Sequence, residues 1–232
     1  MTNLPHIAVA IDGPVGAGKS SIARAAAKRL GFVYCDTGAL YRAVGLYCTR
    51  AGVDMSKNGD IAAKLPEISL ELRLENGIQR VYLNKEDVSE EIRLPEISMA
   101  ASTVSAVPEV RAALLELQRD MARTNSVIMD GRDIGTVVLP NAEVKIFLTA
   151  KPEIRAKRRY DELVQKGVET AFEEVLDDLN RRDYNDSHRE TAPLKQADDA
   201  VLADTSELDF EQSVELICGI IDQRSQKSQN SN

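Results

Sequence analysis

The sequence predicts an α/β protein in which helices cover both faces of an open, parallel sheet. Three observations predict this fold: short apolar runs alternate with helical patterns, two later runs (126–129 and 144–148) are largely apolar, and a glycine-rich segment joins the first run to the first helix. Largely apolar runs are typical of strands buried on both faces of a parallel sheet. With 232 residues, the chain can form one large domain, or a core with one or two small lobes.

The predicted elements follow one another in βα order. The strands are predicted at residues 6–11, 32–35, 126–129, 144–148 and, more weakly, 200–203. The first two strands each lead into a helix, over residues 18–30 and 38–50, and a closing helix spans residues 210–222. The residues after it are rich in Ser, Gln and Asn, so residues 225–232 are predicted to be a disordered tail.

Two stretches depart from the βα order. Residues 69–84 alternate between apolar and polar side chains around the turn sequence ENG at 75–77, which predicts an antiparallel hairpin. This hairpin lies in an inserted lobe of about residues 56–99. Residues 152–189 are helical, charged and rich in arginine, and we interpret them as a second, mobile excursion. The core is then formed by about residues 1–55, 100–151 and 190–224.

Composition excludes several classes of partner. Asp and Glu number 37 against 29 Lys and Arg, a net charge of −8, so nucleic acid and anionic membranes repel the chain as a whole. No apolar run approaches the ~18–20 residues of a membrane span. The first residues show neither the basic region nor the cleavage site of a signal peptide. Cys35, Cys48 and Cys218 form no CxxC pair, so we expect no disulfide framework or zinc site, and a cytoplasmic location.

The strongest chemical signal is GPVGAGKS at residues 13–20. It matches the pattern G-x-x-x-x-G-K-S/T in the required context, after a strand and before a helix. The glycines allow backbone N–H groups to surround a phosphate, and the helix N-terminus adds partial positive charge. We expect Lys19 to be exposed and to reach the β and γ phosphates, while the Ser20 hydroxyl ligates Mg²⁺. The predicted nucleotide-binding residues are Gly13, Pro14, Val15, Gly16, Ala17, Gly18, Lys19, Ser20 and Ser21.

This phosphate-binding loop leaves three functional classes open: a small-molecule kinase, a GTPase-type switch, and a motor or binding module. A guanine-specific switch carries an N/T-K-x-D motif late in the sheet, and FLTAKPE at 147–153 has none. A motor has an acidic pair after its apolar strand, whereas Asp130 is followed by Gly131, Arg132 and Asp133. An arginine beside the nucleotide phosphates suggests a second anionic substrate, which favours the kinase.

Arginines cluster in the second excursion. Arg155, Arg158 and Arg159 share one helical face at i, i+3 and i+4, and Arg182 and Arg189 share another with Asp186. Each alone fits a solvated helix face or an intrahelical pair, such as Arg182 with Asp186. Together, in an acidic protein, they predict a lid for a triphosphate, because the guanidinium fork binds phosphate oxygens in pairs.

Seven segments together resemble the bacterial cytidylate kinases, a family of nucleoside monophosphate kinases. They are IDGPVGAGKSS (11–21), DTGALYRA (36–43), EEIR (90–93), AAS to VPEVRAAL (100–114), DGRDIGTVV (130–138), the helix that carries Arg155, Arg158 and Arg159, and RRDYNDSHRETAPL (181–194). The resemblance covers nearly the whole chain apart from the termini. The departures are slight: Ser21 stands where threonine is frequent, and Asn180 is uncharged.

The resemblance implies a phosphate-binding-loop core of five parallel strands, a monophosphate-binding lobe at 56–99 and a helical lid at 152–189. It implies transfer of the ATP γ-phosphoryl to CMP or dCMP in pyrimidine nucleotide metabolism, with Mg²⁺, by a protein that we expect to be a monomer. The sequence leaves open a kinase of the same fold acting on UMP or a shikimate-like alcohol, and a non-catalytic nucleotide-binding module.

The resemblance also implies roles for matching residues. Thr37, Tyr41 and Arg42 resemble one wall of the CMP site, and Arg42, Arg111 and Arg132 resemble the groups that hold its phosphate. Ser102, Asp133 and Arg189 resemble the residues that read cytosine, and Arg182 and Asp186 resemble the pair that contacts the sugar. Asp130 resembles the acid that holds the Mg²⁺ shell through water. The groups that stabilise the transferring phosphoryl are Lys19, Arg132, Arg155 and Arg159, with Arg158 left open.

Overall fold

The structure is a computed structural model that describes residues 6–75 and 78–229. Its elements in chain order are β1 (Ala8–Asp12), α1 (Lys19–Leu30), β2 (Val33–Asp36), α2 (Gly38–Arg50), α3 (Asn58–Lys64), β3 (Leu70–Glu75), β4 (Ile78–Leu83), β5 (Glu86–Asp87), α4 (Pro95–Ser105), α5 (Pro108–Thr124), β6 (Val127–Gly131), β7 (Val144–Thr149), α6 (Pro152–Gln165), α7 (Phe172–His188), β8 (Val201–Asp204) and α8 (Phe210–Gln229). The predicted strands of the large sheet are all present, within one or two residues at their ends.

Five strands form one sheet in the order β2-β6-β1-β7-β8, and every neighbouring pair is parallel. This confirms the predicted fold class. Because the strands are parallel, their carboxyl ends lie at one edge, where the register places Asp130 opposite both Ile11 and Asp36. That edge, beside the central strand, is where open α/β sheets bind ligands.

Helices bury both faces of this sheet. On one face, Val9 and Ile11 pack with Ile22 of α1 and with Ile217 and Ile221 of α8. On the other, Ala10, Cys35 and Met129 pack with Leu115 and Met121 of α5 and with the π-helical turn Ile134–Val138. Burial on both sides explains why the strands are apolar without alternation.

The small sheet is antiparallel, in the order β3-β4-β5. The predicted hairpin is therefore confirmed, with Leu70 opposite Leu83 and Glu75 opposite Ile78. The predicted turn at Asn76 and Gly77 lies outside the described residues. Strand β5 was not predicted, because two polar residues are too few to show a pattern.

The closing helix is longer than predicted. α8 continues to Gln229, seven residues beyond the predicted end at residue 222. It therefore enters the range predicted to be a disordered tail, and that prediction is wrong for residues 225–229. The segment RSQKSQ contains neither Gly nor Pro, so no residue in it ends a helix. Within the part of the chain that the structure describes, no helix is both long and apolar enough to cross a membrane.

A glycine allows helices α2 and α4 to approach closely. A Cβ atom on Gly45 would lie 3.0 Å from the backbone nitrogen of Ala101 and 3.1 Å from the Cβ of Ala100. These neighbours belong to helix α4, which also carries Ser102, so the close contact places a predicted substrate residue.

We predict that Gly45→Leu lowers the free energy of unfolding by about 2 kcal/mol or more, because overpacking at backbone atoms forces the helices apart. The matched control is Gly219→Leu in α8, where an added Cβ meets nothing within 4 Å. The control should be neutral or up to about 1 kcal/mol more stable, because glycine is a poor helix former. Urea denaturation measures both, and equal stabilities for the two variants would contradict the prediction.

Candidate active site

A cavity of about 1070 Å³ opens at the carboxyl edge of the large sheet. Its walls come from the glycine-rich loop, the segments after β2 and β6, helix α4 and helices α6 and α7. The structure brings together here most of the site residues predicted from the sequence. The exceptions, which do not line the cavity, are Gly13, Pro14, Ala17 and Arg155.

The loop between β1 and α1 needs glycine at its turns. Gly16 and Gly18 have φ values of 74° and 84°, which lie in the left-handed region that side chains disfavour. Gly18 immediately precedes α1, so the first N–H groups of this helix face the cavity edge with the partial positive charge of a helix N-terminus.

Lys19 is buried, contrary to the expected exposure. Only 5% of the residue is accessible, and its Nζ donates to the Pro14 carbonyl at 2.6 Å, so the side chain folds back across the loop. Burial, followed by the nearby charge of Arg132, lowers the pKa of Lys19 to about 7. The residue still lines the cavity, and a polyphosphate would give its ammonium group the anionic partner that favours the charged form.

Asp130 connects three elements at the end of β6. Its carboxylate accepts hydrogen bonds from Ser20 Oγ and Tyr34 Oη, both at 2.9 Å. Its backbone carbonyl accepts one from Thr37 Oγ1 at 2.7 Å. Burial and the nearby Asp36 raise the pKa of Asp130. The carboxylate and hydroxyl oxygens beside the phosphate-binding loop fit Mg²⁺, which binds proteins through one or two carboxylates together with substrate phosphates.

The segment after β2 is held by Gln79, a residue that the sequence analysis missed. Gln79 Oε1 accepts from the Asp36 N–H at 2.9 Å, and Nε2 donates to the Asp36 carbonyl at 3.2 Å. The Asp36 side chain in turn accepts from Arg42 Nη2 at 2.6 Å. Among the residues that the structure describes, none accepts a hydrogen bond from the buried Nε of Arg42, so this guanidinium retains a free donor beside the cavity.

Asp133 lies between two arginines. It accepts a hydrogen bond from Arg111, and Arg189 Nη2 lies 3.5 Å from its other oxygen. Both arginine side chains are only 8% exposed. Arg189 also approaches Ser105 Oγ at 3.4 Å, and the Arg111 guanidinium lies 5.3 Å from the Tyr41 ring centroid. The residues predicted to read cytosine, apart from Ser102, thus form one hydrogen-bonded group.

Asp186 pairs across elements rather than along its own helix. It accepts from Arg132 Nε at 2.7 Å, so the intrahelical alternative with Arg182 is wrong. Burial opposes ionisation of Asp186, but the charge and hydrogen bond of Arg132 outweigh it and its pKa is lowered. Arg182 instead forms a long salt bridge with Asp178 of its own helix, with Nη1 3.9 Å from Oδ2. Burial and the neighbouring Arg132 lower the pKa of Arg182, so this part of the cavity carries positive charge suited to an anion.

The three arginines of α6 have different surroundings, although they were predicted to act on one face. Arg155 is buried and donates to the carbonyls of Ala150 and Val15, so its prediction as a group facing the cavity is wrong. Arg158 donates to the carbonyls of Thr205 and Leu208 at 2.6 and 3.2 Å. Arg159 pairs with Glu162 at 2.8 Å, is 36% exposed and lines the cavity. Helical periodicity cannot distinguish these positions, because the partners of Arg155 and Arg158 come from outside the helix.

Asp12, at the end of β1, is a further residue that the sequence analysis missed. Its carboxylate accepts from the N–H groups of Ile134 and Gly135, both at 2.7 Å. It thereby fixes the turn that follows Arg132 and Asp133. Burial raises the pKa of Asp12 from 3.8 to about 6, despite these two hydrogen bonds. The signal that could have identified Asp12 is its position at the carboxyl end of a central strand, where ligands bind in open α/β sheets.

We predict a pH-dependent stability difference between the wild type and Asp12→Asn. A carboxyl group whose pKa is raised on folding favours the folded state most at low pH, and this contribution is lost as pH rises towards about 6. From about pH 4.5 to 7.5, the wild type should lose about 2 kcal/mol relative to the neutral variant. Denaturation of both proteins across this range measures the difference, and a constant difference would exclude the raised pKa.

The parallel sheet, the GPVGAGKS loop after its first strand and the arginine-lined cavity define a phosphate-binding-loop kinase. The chain belongs to the cytidylate kinase family, since the family model described as Cytidylate kinase matches residues 9–223.

Two relatives agree with this assignment, and a solved structure shares the fold. The cytidylate kinase of Caldicellulosiruptor bescii is 48% identical over 214 residues, which cover 92% of this chain and 95% of that protein. The cytidylate kinase of Caldanaerobacter subterraneus subsp. tengcongensis is 50% identical over 219 residues, covering 94% and 95%. An uncharacterised protein from Eubacterium ventriosum has a TM-score of 0.52 at 13% identity, over 94% of this chain and 99% of that one. This last similarity shows the fold alone.

Proposed function

We propose that the protein transfers the γ-phosphoryl group of ATP to CMP or dCMP, yielding ADP and CDP or dCDP. One observation carries the proposal. A single cavity holds a phosphate-binding loop at one end and, at the other, buried arginines around a carboxylate suited to cytosine. Membership of the cytidylate kinase family supports the same reaction.

At the donor end, the N–H groups of the loop and of the start of α1 surround the ATP phosphates. Lys19 leaves the Pro14 carbonyl and turns to the β and γ phosphates. Ser20 and Asp130 would hold Mg²⁺ when the ion is bound, Asp130 through water. The ion supplies neutralising charge to the phosphate oxygens.

At the acceptor end, Arg42, Arg111 and Arg132 hold the phosphate of CMP, beside Thr37 and Tyr41. The free Nε of Arg42 supports this role, because a buried donor without a partner is costly and a phosphate oxygen supplies one. Arg182 and Asp186 contact the sugar.

Asp133, with Ser102 and Arg189, reads the base. Cytosine presents an amino donor at C4, whereas uracil presents a carbonyl acceptor. A carboxylate accepts from the first and repels the second. The pairing of Asp133 with both Arg111 and Arg189 supports this role, since it orients the carboxylate before the base arrives.

No protein base is required. The acceptor is a phosphate whose second pKa is ~6, so its oxygen is largely ionised at neutral pH. Catalysis then consists of alignment and of neutralising charge on the transferring group, by Lys19, Arg132 and Arg159. Arg182 lines the same cavity and is a further candidate.

The domain boundaries remain part of the proposal. Residues 56–99 act as the monophosphate-binding lobe and residues 152–189 as the lid, and both close on the core when substrates bind. Closure excludes water, which would otherwise compete for the phosphoryl group. A cytoplasmic location, supported by three buried, unpaired cysteines, and the monomeric state stay predictions.

A coupled ADP-release assay tests the function directly. Mg-ATP is supplied with CMP, dCMP, UMP, AMP, GMP or shikimate in parallel. We expect strong release with CMP and dCMP and weak release with the others. Release that no acceptor stimulates would leave a non-catalytic nucleotide-binding module, and preference for UMP or shikimate would indicate another kinase of this fold.

We predict that Lys19→Met lowers turnover by at least ~10²-fold, the scale for losing one preorganised charge in the transition state. The variant should fold, because methionine replaces a buried lysine stem with an apolar chain. The control is Lys28→Met, at an exposed position of the same helix. Near-normal turnover of a folded Lys19→Met protein would exclude phosphoryl transfer at this loop.

We predict that Asp133→Ala reduces discrimination between CMP and UMP. Loss of the acceptor should cost CMP ~1–3 kcal/mol, about five- to 150-fold in kcat/KM, whereas UMP should lose less. The KM for ATP should change little. Melting temperature, measured on the same preparation, reports the loss of the two ion pairs with Arg111 and Arg189. Equal losses for the two pyrimidines would show that Asp133 has only a structural role.

A further inference from the structure

The backbone of Val15, in the phosphate-binding loop, is bound on both sides by side chains of α6 and α7. Its N–H donates to Asp183 Oδ1 at 3.0 Å, and its carbonyl accepts from Arg155 Nη1 at 2.8 Å. Arg155 and Asp183 also contact each other, with Nη1 2.5 Å from Oδ2. A further bond from Arg155 Nε to the Ala150 carbonyl, at 2.8 Å, anchors the guanidinium at the end of β7. We call this arrangement the Val15 clamp.

Packing independently joins the same helices to the loop. The Val15 side chain forms a small buried cluster with Ala156 of α6 and with Val175 and Leu179 of α7. A Cβ on the next residue, Gly16, would lie 3.3 Å from the Cβ of Arg155 and 3.4 Å from Leu179 Cδ2. The two helices therefore lie directly on the loop.

The clamp combines two opposite charges beside a site for polyphosphate. Asp183 alone would repel the donor phosphates, but its contact with Arg155 neutralises it. The Arg155 side chain is only 5% exposed, so it is not available to the transferring phosphoryl group. The pair can therefore hold the loop backbone without adding net charge where ATP binds.

The clamp also places two cavity residues. Arg182 directly precedes Asp183 in the chain, and Arg159 lies one helical turn beyond Arg155. Both line the cavity. Fixing Arg155 and Asp183 to the loop therefore fixes the points from which Arg159 and Arg182 reach the phosphates.

We propose that Arg155 and Asp183 are positioning residues for the phosphoryl donor, acting through the Val15 backbone. They hold the loop in the conformation that accepts ATP and tie the helices of the lid to it. This inference rests on the proposed function only in taking ATP as the ligand of the loop.

The first test compares Asp183→Asn and Arg155→Met with Asp161→Asn. Asp161 on α6 also forms an ion pair, with Lys157 at the surface, but does not contact the loop. Calorimetric titration gives the Kd for ATP, and steady-state kinetics give the KM for ATP and for CMP. We expect Asp183→Asn and Arg155→Met to raise the Kd and KM for ATP about tenfold, within the range of coupled neighbours. The KM for CMP should change less than about twofold, and Asp161→Asn should match the wild type.

Arg155→Lys distinguishes positioning from general stability. An ammonium group can donate to Val15 and Asp183 but lacks the fork that also reaches Ala150. It should therefore recover part of the ATP affinity lost in Arg155→Met. Unchanged ATP affinity in a folded Asp183→Asn protein would overturn the inference, as would equal rises in the KM for ATP and for CMP.

A measurement on the wild type covers the case in which the variants do not fold. The Val15 amide proton should exchange with solvent at least about tenfold more slowly than an unprotected amide. Exchange at the unprotected rate would remove the hydrogen bond on which the inference depends. ATP titration and amide exchange need no acceptor. The two proposals can therefore fail separately. If ATP affinity depends on Arg155 and Asp183 but the protein does not phosphorylate CMP, the proposed function is refuted and the inference about the Val15 clamp stands.

Discussion

The constraint on which this site depends is that buried and half-buried guanidinium groups need anionic partners. Four Arg–Asp pairs meet it: Arg42 with Asp36, Arg111 with Asp133, Arg132 with Asp186 and Arg155 with Asp183. A buried charge that lacks a partner destabilises a protein by several kcal/mol. This acidic protein concentrates arginine in one cavity by placing aspartates beside most of these guanidinium groups.

These pairs also join elements that are distant in the chain. Arg132 follows β6, whereas Asp186 lies on α7, 54 residues later. Arg111 on α5 meets Asp133 across 22 residues. Three of the pairs contribute arginines to the cavity wall, where a phosphate can compete for them, but the Arg155 guanidinium is buried on the loop. The first three pairs can exchange partners with ligands, whereas the fourth maintains the shape of the loop.

Local patterns were sufficient to predict the large sheet and the phosphate-binding loop. Strands β6 and β7 are largely apolar runs because helices bury both faces of the sheet, and the loop is a contiguous motif. The partners of Arg155, Asp183 and Gln79 could not be predicted, because tertiary packing determines them. Helical periodicity placed Arg155 on one face with Arg158 and Arg159, but it gave no sign that the first turn of α6 faces the phosphate-binding loop. The burial of Lys19 likewise depends on the Pro14 carbonyl across a glycine turn.

Under the proposed function, these Arg–Asp pairs affect whether the phosphoryl group is transferred to an acceptor phosphate or to water. An anionic phosphate can replace an aspartate as the partner of Arg42 or Arg132, because its oxygens bind the guanidinium fork in the same way. A water molecule has no charge with which to open these pairs. The structure pairs Arg132 with Asp186 and Arg42 with Asp36. Under the proposed function, an acceptor phosphate takes over these arginines as it binds, whereas water cannot, so the same ion pairs favour transfer over hydrolysis.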